Sequence, residues 1–324
     1  MRVQLPGLFD LQVNGFGGVD FNAPDLTPDR VDRAIELMRA TGVTRCLPTL
    51  ITSPLEQFAA SARVLARSRD AAIAGIHMEG PYVSPDEGPR GAHPRAHVIA
   101  ASVDDFKRRQ DAADGRIVLV TLAPEVAGAM ALIEHLVAAR VCVALGHTAA
   151  TPPQIGDAIA AGATLATHLG NGCAQMLPRH PNVIWELLAA DAVCASFIAD
   201  GHHLPPSTLK AMVKAKDPGR TILVTDATAA AGCLPGRYRI GAVDCELGAD
   251  GRVSLPGTPY LAGSSLTMDR AIANACRFTG LPLAAVAPMA STNAARIVGM
   301  ATCGTMIADW DAAACQLHVR RITS

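Results

Sequence analysis

The stretch Ala71-Ala72-Ile73-Ala74-Gly75-Ile76-His77-Met78-Glu79-Gly80-Pro81 stays apolar for the length of a strand and then ends on a carboxylate. Three later stretches repeat the pattern. Val141-Cys142-Val143-Ala144-Leu145 leads into Gly146-His147-Thr148, Ala163-Thr164-Leu165-Ala166 into Thr167-His168-Leu169, and Thr221-Ile222-Leu223-Val224 into Thr225-Asp226-Ala227. Near-continuous apolar runs, without the alternation of a half-exposed sheet, are how parallel strands buried on both faces read. If the four belong to one barrel, their carboxyl ends share a face, where barrel enzymes carry their chemistry. The polar tips then become neighbours and read as one divalent-metal hydrolase site.

Working outward, apolar runs at 7–13, 45–51, 71–78, 117–122, 141–145, 163–167, 193–198 and 221–225 make eight candidate strands, with helical patterns between them. Thr27 before Pro28, Ser53 before Pro54 and Thr151 before Pro152 each read as a helix N-cap followed by proline at the first helical position. Val31, Ile35 and Met38 line one face of the first helix, which should stop at Gly42. This alternation is that of an α/β protein with a distorted (β/α)8 TIM-like barrel. After the eighth strand, 238–247 and 252–255 read as a hairpin turning at Asp250-Gly251. Helices over 265–278 and 282–297 follow, and the tail from Met306 adds a short strand. The expected division is therefore 1–236 for the barrel strands, 237–262 for a β-hairpin insertion, 263–300 for closing helices and 301–324 for the remnant of a small β domain.

Composition limits the function. A chain of 324 residues, 50% hydrophobic, can bury a large core, while a net charge of -1 with 18% charged residues offers no basic stripe for nucleic acid. A small-molecule substrate is expected. Nine scattered cysteines without a Cys-x-x-Cys pair argue for free thiols in the cytoplasm. No apolar stretch reaches membrane-spanning length, so no membrane partner is expected. Gly15-Phe16-Gly17-Gly18 lacks the spacing of a phosphate-binding loop and reads as a tight turn at the barrel mouth.

Seven motifs, in order, carry a resemblance. They are Pro6-Gly7-Leu8-Phe9-Asp10-Leu11-Gln12-Val13-Asn14-Gly15, His77-Met78-Glu79-Gly80-Pro81, Gly146-His147-Thr148, Thr167-His168-Leu169-Gly170-Asn171, Ile198-Ala199-Asp200-Gly201-His202-His203, Leu223-Val224-Thr225-Asp226-Ala227 and Leu261-Ala262-Gly263-Ser264-Ser265-Leu266-Thr267-Met268. Together they resemble the N-acetylglucosamine-6-phosphate deacetylases of the amidohydrolase superfamily and span nearly the whole chain. The resemblance implies a metal-dependent hydrolase barrel with a small β-sandwich, truncated here because the chain begins almost at Pro6-Gly7.

It also implies that Glu79, His147 and His168 are metal ligands and Asp226 the general acid/base. The chemistry suits these residue types, since a metal lowers the pKa of water and polarises an amide carbonyl, while a carboxylate shuttles the proton. Many amidohydrolases carry a His-x-His pair on the first strand that helps to hold a second ion. Gln12-Val13-Asn14 stands there, so a single divalent ion is expected, zinc by default with iron(II) as the other N/O-site ion. By the same resemblance His93 would approach the acyl group or a sugar hydroxyl. Asn171 and the backbone of Gly172, with Arg179 and His203, would hold a phosphate. Ala92, Leu261, Ala262 and Gly263 would line the remaining wall, and the arginine can reach across a homodimer interface.

Each residue also has a structural reading. His147 and His168 could be rim histidines satisfied by carbonyls, Glu79 and Asp226 helix caps, and Arg179 with His180 a solvated edge. His77 shares the facing of Glu79 but reads as structural, and either His202 or His203 could face the pocket. Gly170-Asn171-Gly172-Cys173 departs from the family's aromatic-Asn-Ala-Met and should thin the substrate wall. The resulting expectation is deacetylation of N-acetylglucosamine 6-phosphate. A deacylase for a different or non-phosphorylated N-acyl amino sugar, or a non-catalytic sugar-sensing barrel, are the alternatives.

Overall fold

The computed structural model describes residues 1–258 and 260–323; Pro259, inside the expected insertion, and Ser324 lie outside the described residues. Eight parallel strands, Leu8–Val13, Val43–Ile51, Ile76–Glu79, Ile117–Leu122, Cys142–Leu145, Leu165–Ala166, Cys194–Ile198 and Thr221–Val224, pair in chain order. Their residues are almost all buried because helices cover the outer face and side chains fill the interior, which is why the sequence reads apolar without alternation. The arrangement is a (β/α)8 barrel. The third strand is shorter than the run from Ala71 suggests: Ile73 makes one isolated bridge to Cys46, and regular pairing begins at Ile76.

The barrel closes differently from how its other strands pair. Between the eighth and first strands, Asp226 N donates to Gln12 O at 2.9 Å, Asn14 N donates to Ala227 O at 2.7 Å, and Val13 bridges Ala227. Below them a side chain takes over. Fully buried Asp10 accepts hydrogen bonds from Gln12 N, from Thr225 N and from the Thr225 hydroxyl. Burial pushes its carboxyl up to about 7, against the opposing pull of those hydrogen bonds.

Local sequence explains most helix limits. In Pro28–Arg39, Val31, Ala34, Ile35 and Met38 form one buried stripe, and Gly42, at φ +91°, takes the left-handed turn beyond it. At Pro152–Ala160, the Gln154 side chain accepts from Thr151 N at 2.9 Å, securing the expected start. The start expected at Ser53-Pro54 shifts. Pro54 has an extended ψ of 150° and itself occupies the cap of Leu55–Arg67.

Three expectations about the last third are corrected. The stretch 238–247 is two strands, Gly236–Ile240 and Val243–Leu247, which with Val253–Ser254 form an antiparallel meander. The apolar phase slips between Tyr238/Ile240 and Val243/Cys245/Leu247 at an additional turn, Gly241, whose N–H donates to Asp20 at 2.6 Å, while the expected Asp250-Gly251 turn joins the second and third strands. The helix expected over 282–297 is broken into Leu283–Val286, a 3-10 turn Ala287–Ala290 and Thr292–Ile297, because Pro288 cannot continue the helical ladder. The tail forms two strands, Thr305–Asp311 and Gln316–Thr323, and Arg2–Pro6 adds to the first of them. The opening residues thus belong to the terminal sheet, not to the barrel, since Val3 and Leu5 pair beside the buried Ala308 and Met306.

Asp10→Asn tests the closure. Folded Asp10 keeps its proton to about pH 7, whereas the unfolded chain releases it near 4, so wild-type stability falls relative to the variant as pH rises through that window. Urea unfolding from pH 4 to 8 should show the difference shift by a few kcal/mol in favour of Asn. A pH-independent difference would contradict this.

Candidate active site

Four side chains meet at the carboxyl face of the barrel. Glu79 ends the third strand, and His147, His168 and Asp226 each lie two residues beyond the fifth, sixth and eighth. The latter three have positive φ, at +51°, +30° and +49°, a conformation that costs a non-glycine residue roughly 1–3 kcal/mol. Hydrogen bonds hold the turns in place: His168 N donates to Ser196 Oγ at 2.7 Å, Asp226 N to Gln12 O, and Ser84 N to His147 O at 2.9 Å. Strain of this kind is maintained where a side chain must point inward.

The inward atoms converge. His168 Nε2 lies 3.1 Å and His147 Nε2 3.4 Å from Glu79 Oε1, and the two Nε2 atoms are 3.1 Å apart. His147 Nδ1 is 2.9 Å from Pro89 O, and a carbonyl only accepts, so Nδ1 carries the hydrogen and the Nε2 lone pair faces the cluster. Glu79 Oε1 is likewise an acceptor. A single proton on His168 can serve only one of these two lone pairs. The set of one carboxylate and two imidazoles, all buried, therefore fits a divalent cation, and these three side chains could hold one. Burial alone would raise the Glu79 carboxyl, but the hydrogen bond and charge of the adjoining His168 hold it well below the ordinary range.

Asp226 is set by a different pair of side chains. Its Oδ1 accepts from Asn14 Nδ2 at 2.7 Å and from Gln12 Nε2 at 3.3 Å, and Gln12 Nε2 also donates to Glu79 Oε1 at 2.8 Å. Burial, then the Glu79 charge, pushes the Asp226 carboxyl up to about 6, suited to accepting a proton near neutrality. Sequence reasoning treated Gln12 and Asn14 only as absent ligands. Their hydrogen-bonding role was foreshadowed only by their being polar residues on an otherwise apolar strand end.

His93 joins the cluster. Its Nε2 is 3.2 Å from His147 Nε2, its Nδ1 2.8 Å from Thr52 Oγ1, and burial lowers it to about 3, leaving it neutral. Behind the cluster, His77 bonds Thr121 Oγ1 at 2.8 Å inside the barrel. Asn171 Nδ2 donates to His168 O at 3.1 Å. Gly263 N-terminal to Ser264 runs beside Asp226 O, and Ala92 and Ala262 pack on the small core of the meander, where Leu261 bridges Ser254. His203 is tucked against Asp200, while His202 reaches Asp250 O at 3.3 Å on the exposed side. Arg179 is exposed and does not join these residues within one chain.

A Cβ on Gly170 would meet Leu204 and Met212 at 2.9 and 3.2 Å, and 170–173 line a pocket beside His147. A Cβ on Gly172, at φ +57°, would lie 2.8 Å from His147 Nδ1. Glycine there lets the backbone support the ligand ring. Two further contacts were also hidden in the sequence: Glu125 grips Thr148 Oγ1 and Ala149 N, at 2.5 and 2.6 Å, just beyond His147.

The family model of the amidohydrolase family matches residues 3–317, and the chain belongs to that family. Within it, the chain is 34% identical over 309 residues to N-acetylglucosamine-6-phosphate deacetylase of Bos taurus, covering 91% of this chain and 74% of the relative. It is 33% identical over 301 residues to N-acetylgalactosamine-6-phosphate deacetylase of Escherichia coli O157:H7, covering 91% and 78%. A mutant of N-acetyl-D-glucosamine-6-phosphate deacetylase from Mycobacterium smegmatis, solved in complex with N-acetyl-D-glucosamine-6-phosphate, superposes with a TM-score of 0.91 at 34% identity. That match covers 99% of this chain and 86% of the other.

Gly172→Ala should lower zinc affinity about 10- to 100-fold by pushing the His147 ring off its line to Glu79. Competition with a chromogenic chelator measures it, and unchanged affinity would remove Gly172 from the support of the site.

Proposed function

We propose that the chain is a metal-dependent deacetylase that hydrolyses the N-acetyl amide of N-acetylglucosamine 6-phosphate to acetate and glucosamine 6-phosphate. The observation that carries this is the buried Glu79, His147 and His168 cluster with Asp226 alongside, in a barrel whose relatives are named for that reaction. Glu79, His147 and His168 would hold one divalent ion, zinc by preference for two imidazoles and a carboxylate, with iron(II) as the other candidate. Such an ion acidifies water and polarises the acyl carbonyl. The position of Gln12 supports one ion over two, because its amide donates into the space between Glu79 and Asp226.

Asp226 takes the water proton and returns it to the departing amine, a task matched by its raised pKa. Neutral His93 offers its ring nitrogen to the acyl group or a neighbouring hydroxyl. Asn171, the Gly172 backbone, His203 and Arg179 receive the phosphate, and Ala92, Leu261, Ala262 and Gly263 form the remaining wall. Exposed Arg179 fits a role in a homodimer, reaching the partner's pocket. Among the described residues no helix is long and apolar enough to cross a membrane, and we place the enzyme in the cytoplasm. With Arg2–Pro6 assigned to the terminal sheet, the division at 236, 262 and 300 stands as our proposal for the domain limits.

A second reading, N-acetylgalactosamine 6-phosphate as substrate, is favoured by the Escherichia coli relative, whose identity is within one percentage point of that of the Bos taurus enzyme. Amine release from both sugar phosphates and from plain N-acetylglucosamine, by the zinc-loaded protein, separates the readings. Asp226→Asn should keep its metal and lose roughly 10²- to 10⁴-fold in kcat. Undiminished turnover would remove Asp226 from the mechanism, and turnover of none of the three sugars would overturn the reading.

A further inference from the structure

Beyond the seventh barrel strand the chain turns through Asp200-Gly201-His202-His203. Asp200 Oδ1 accepts the backbone N–H groups of His202 and His203 at 2.8 and 2.9 Å, and Oδ2 lies 2.6 Å from His203 Nδ1. Both side chains are deeply buried, with 9% of Asp200 and 6% of His203 exposed. Burial would raise the Asp200 carboxyl, yet the His203 hydrogen bond and charge hold it below its ordinary value, so it is ionised near neutral pH. A carboxylate accepts only, which fixes the hydrogen on His203 Nδ1.

That fixed hydrogen restricts the other end of the ring. No group among the described residues is paired with His203 Nε2, and the ring is close enough to Asp226 for its charge to lower that carboxyl. With Nδ1 already protonated, Nε2 can donate a hydrogen bond only if the ring is an imidazolium. An anion at Nε2 and the Asp200 carboxylate at Nδ1 would together favour that form. Arg179 is exposed, whereas the His203 side chain is held inside the chain.

We propose that Asp200 is a positioning residue that orients His203 and lets it act as an Nε2–H donor when the phosphate of the sugar is bound. This rests on the reading of the substrate as a phosphorylated amino sugar. Asp200→Asn keeps an acceptor for the turn but presents an amide N–H to Nδ1, so Nε2–H persists on a neutral ring. Geometry is kept and the charge is lost.

The test is the steady-state kinetics of N-acetylglucosamine 6-phosphate hydrolysis together with calorimetric titration of glucosamine 6-phosphate and glucosamine. Asp200→Asn should raise KM about tenfold while kcat falls less than about threefold, and should weaken glucosamine 6-phosphate about tenfold, with a much smaller effect on glucosamine. His203→Asn, which leaves Asp200 capping the turn, should give a similar rise, and adding Asp200→Asn to it should change KM less than about twofold. Overturning results are a KM and product affinity within twofold of wild type, equal losses for glucosamine and its phosphate, or additive losses in the double variant. If the wild-type chain turns over no sugar, the functional reading fails, and the titrations still decide the role of Asp200.

Discussion

Two lone pairs directed at one another inside a barrel account for the site. With its Nδ1 hydrogen given to Pro89 O, His147 presents a bare Nε2 to Glu79 Oε1 at 3.4 Å, and a buried arrangement of that kind is unfavourable until something positive sits between them. His168 completes the set from the next strand. Much of the surrounding structure serves to hold that convergence: the left-handed turns at His147 and His168, the glycine at 172 against the imidazole, the Glu125 grip on the loop after His147, and the Gln12 amide beside Glu79.

The barrel supplies rigidity where the chemistry needs it. Its interior below the cluster holds a layer of hydrogen-bonded side chains, with His77 linked to Thr121 and Thr121 to Thr167 at 2.7 Å. At the seam between the eighth and first strands, Asp10 ties Thr225, one residue before Asp226, to the backbone N–H of Gln12, whose side-chain amide contacts Glu79. Closure of the fold and placement of Asp226 are therefore one structural event.

Most of the strands were legible because double-sided burial leaves a near-continuous apolar run, and Glu79, His147, His168 and Asp226 were legible as polar residues at the ends of such runs. Less visible were features that depend on partners distant in sequence. The pairing of Arg2–Pro6 with Thr305–Asp311 joins residues about 300 apart, and no local pattern announces it. The meander was misread because a phase slip at Gly241 looks like continuity in a long alternating stretch. The Asp200 contact with His203 was likewise masked, its residues having been read for motif spacing alone.

The central claim is that Glu79, His147 and His168 of one chain share a single ion. Metal-to-protein stoichiometry, by plasma mass spectrometry after zinc reconstitution and gel filtration, tests it most directly in the wild type and in Glu79→Gln. The account predicts one zinc per chain, lost in the variant. Two ions per chain, or one that survives the substitution, would contradict it.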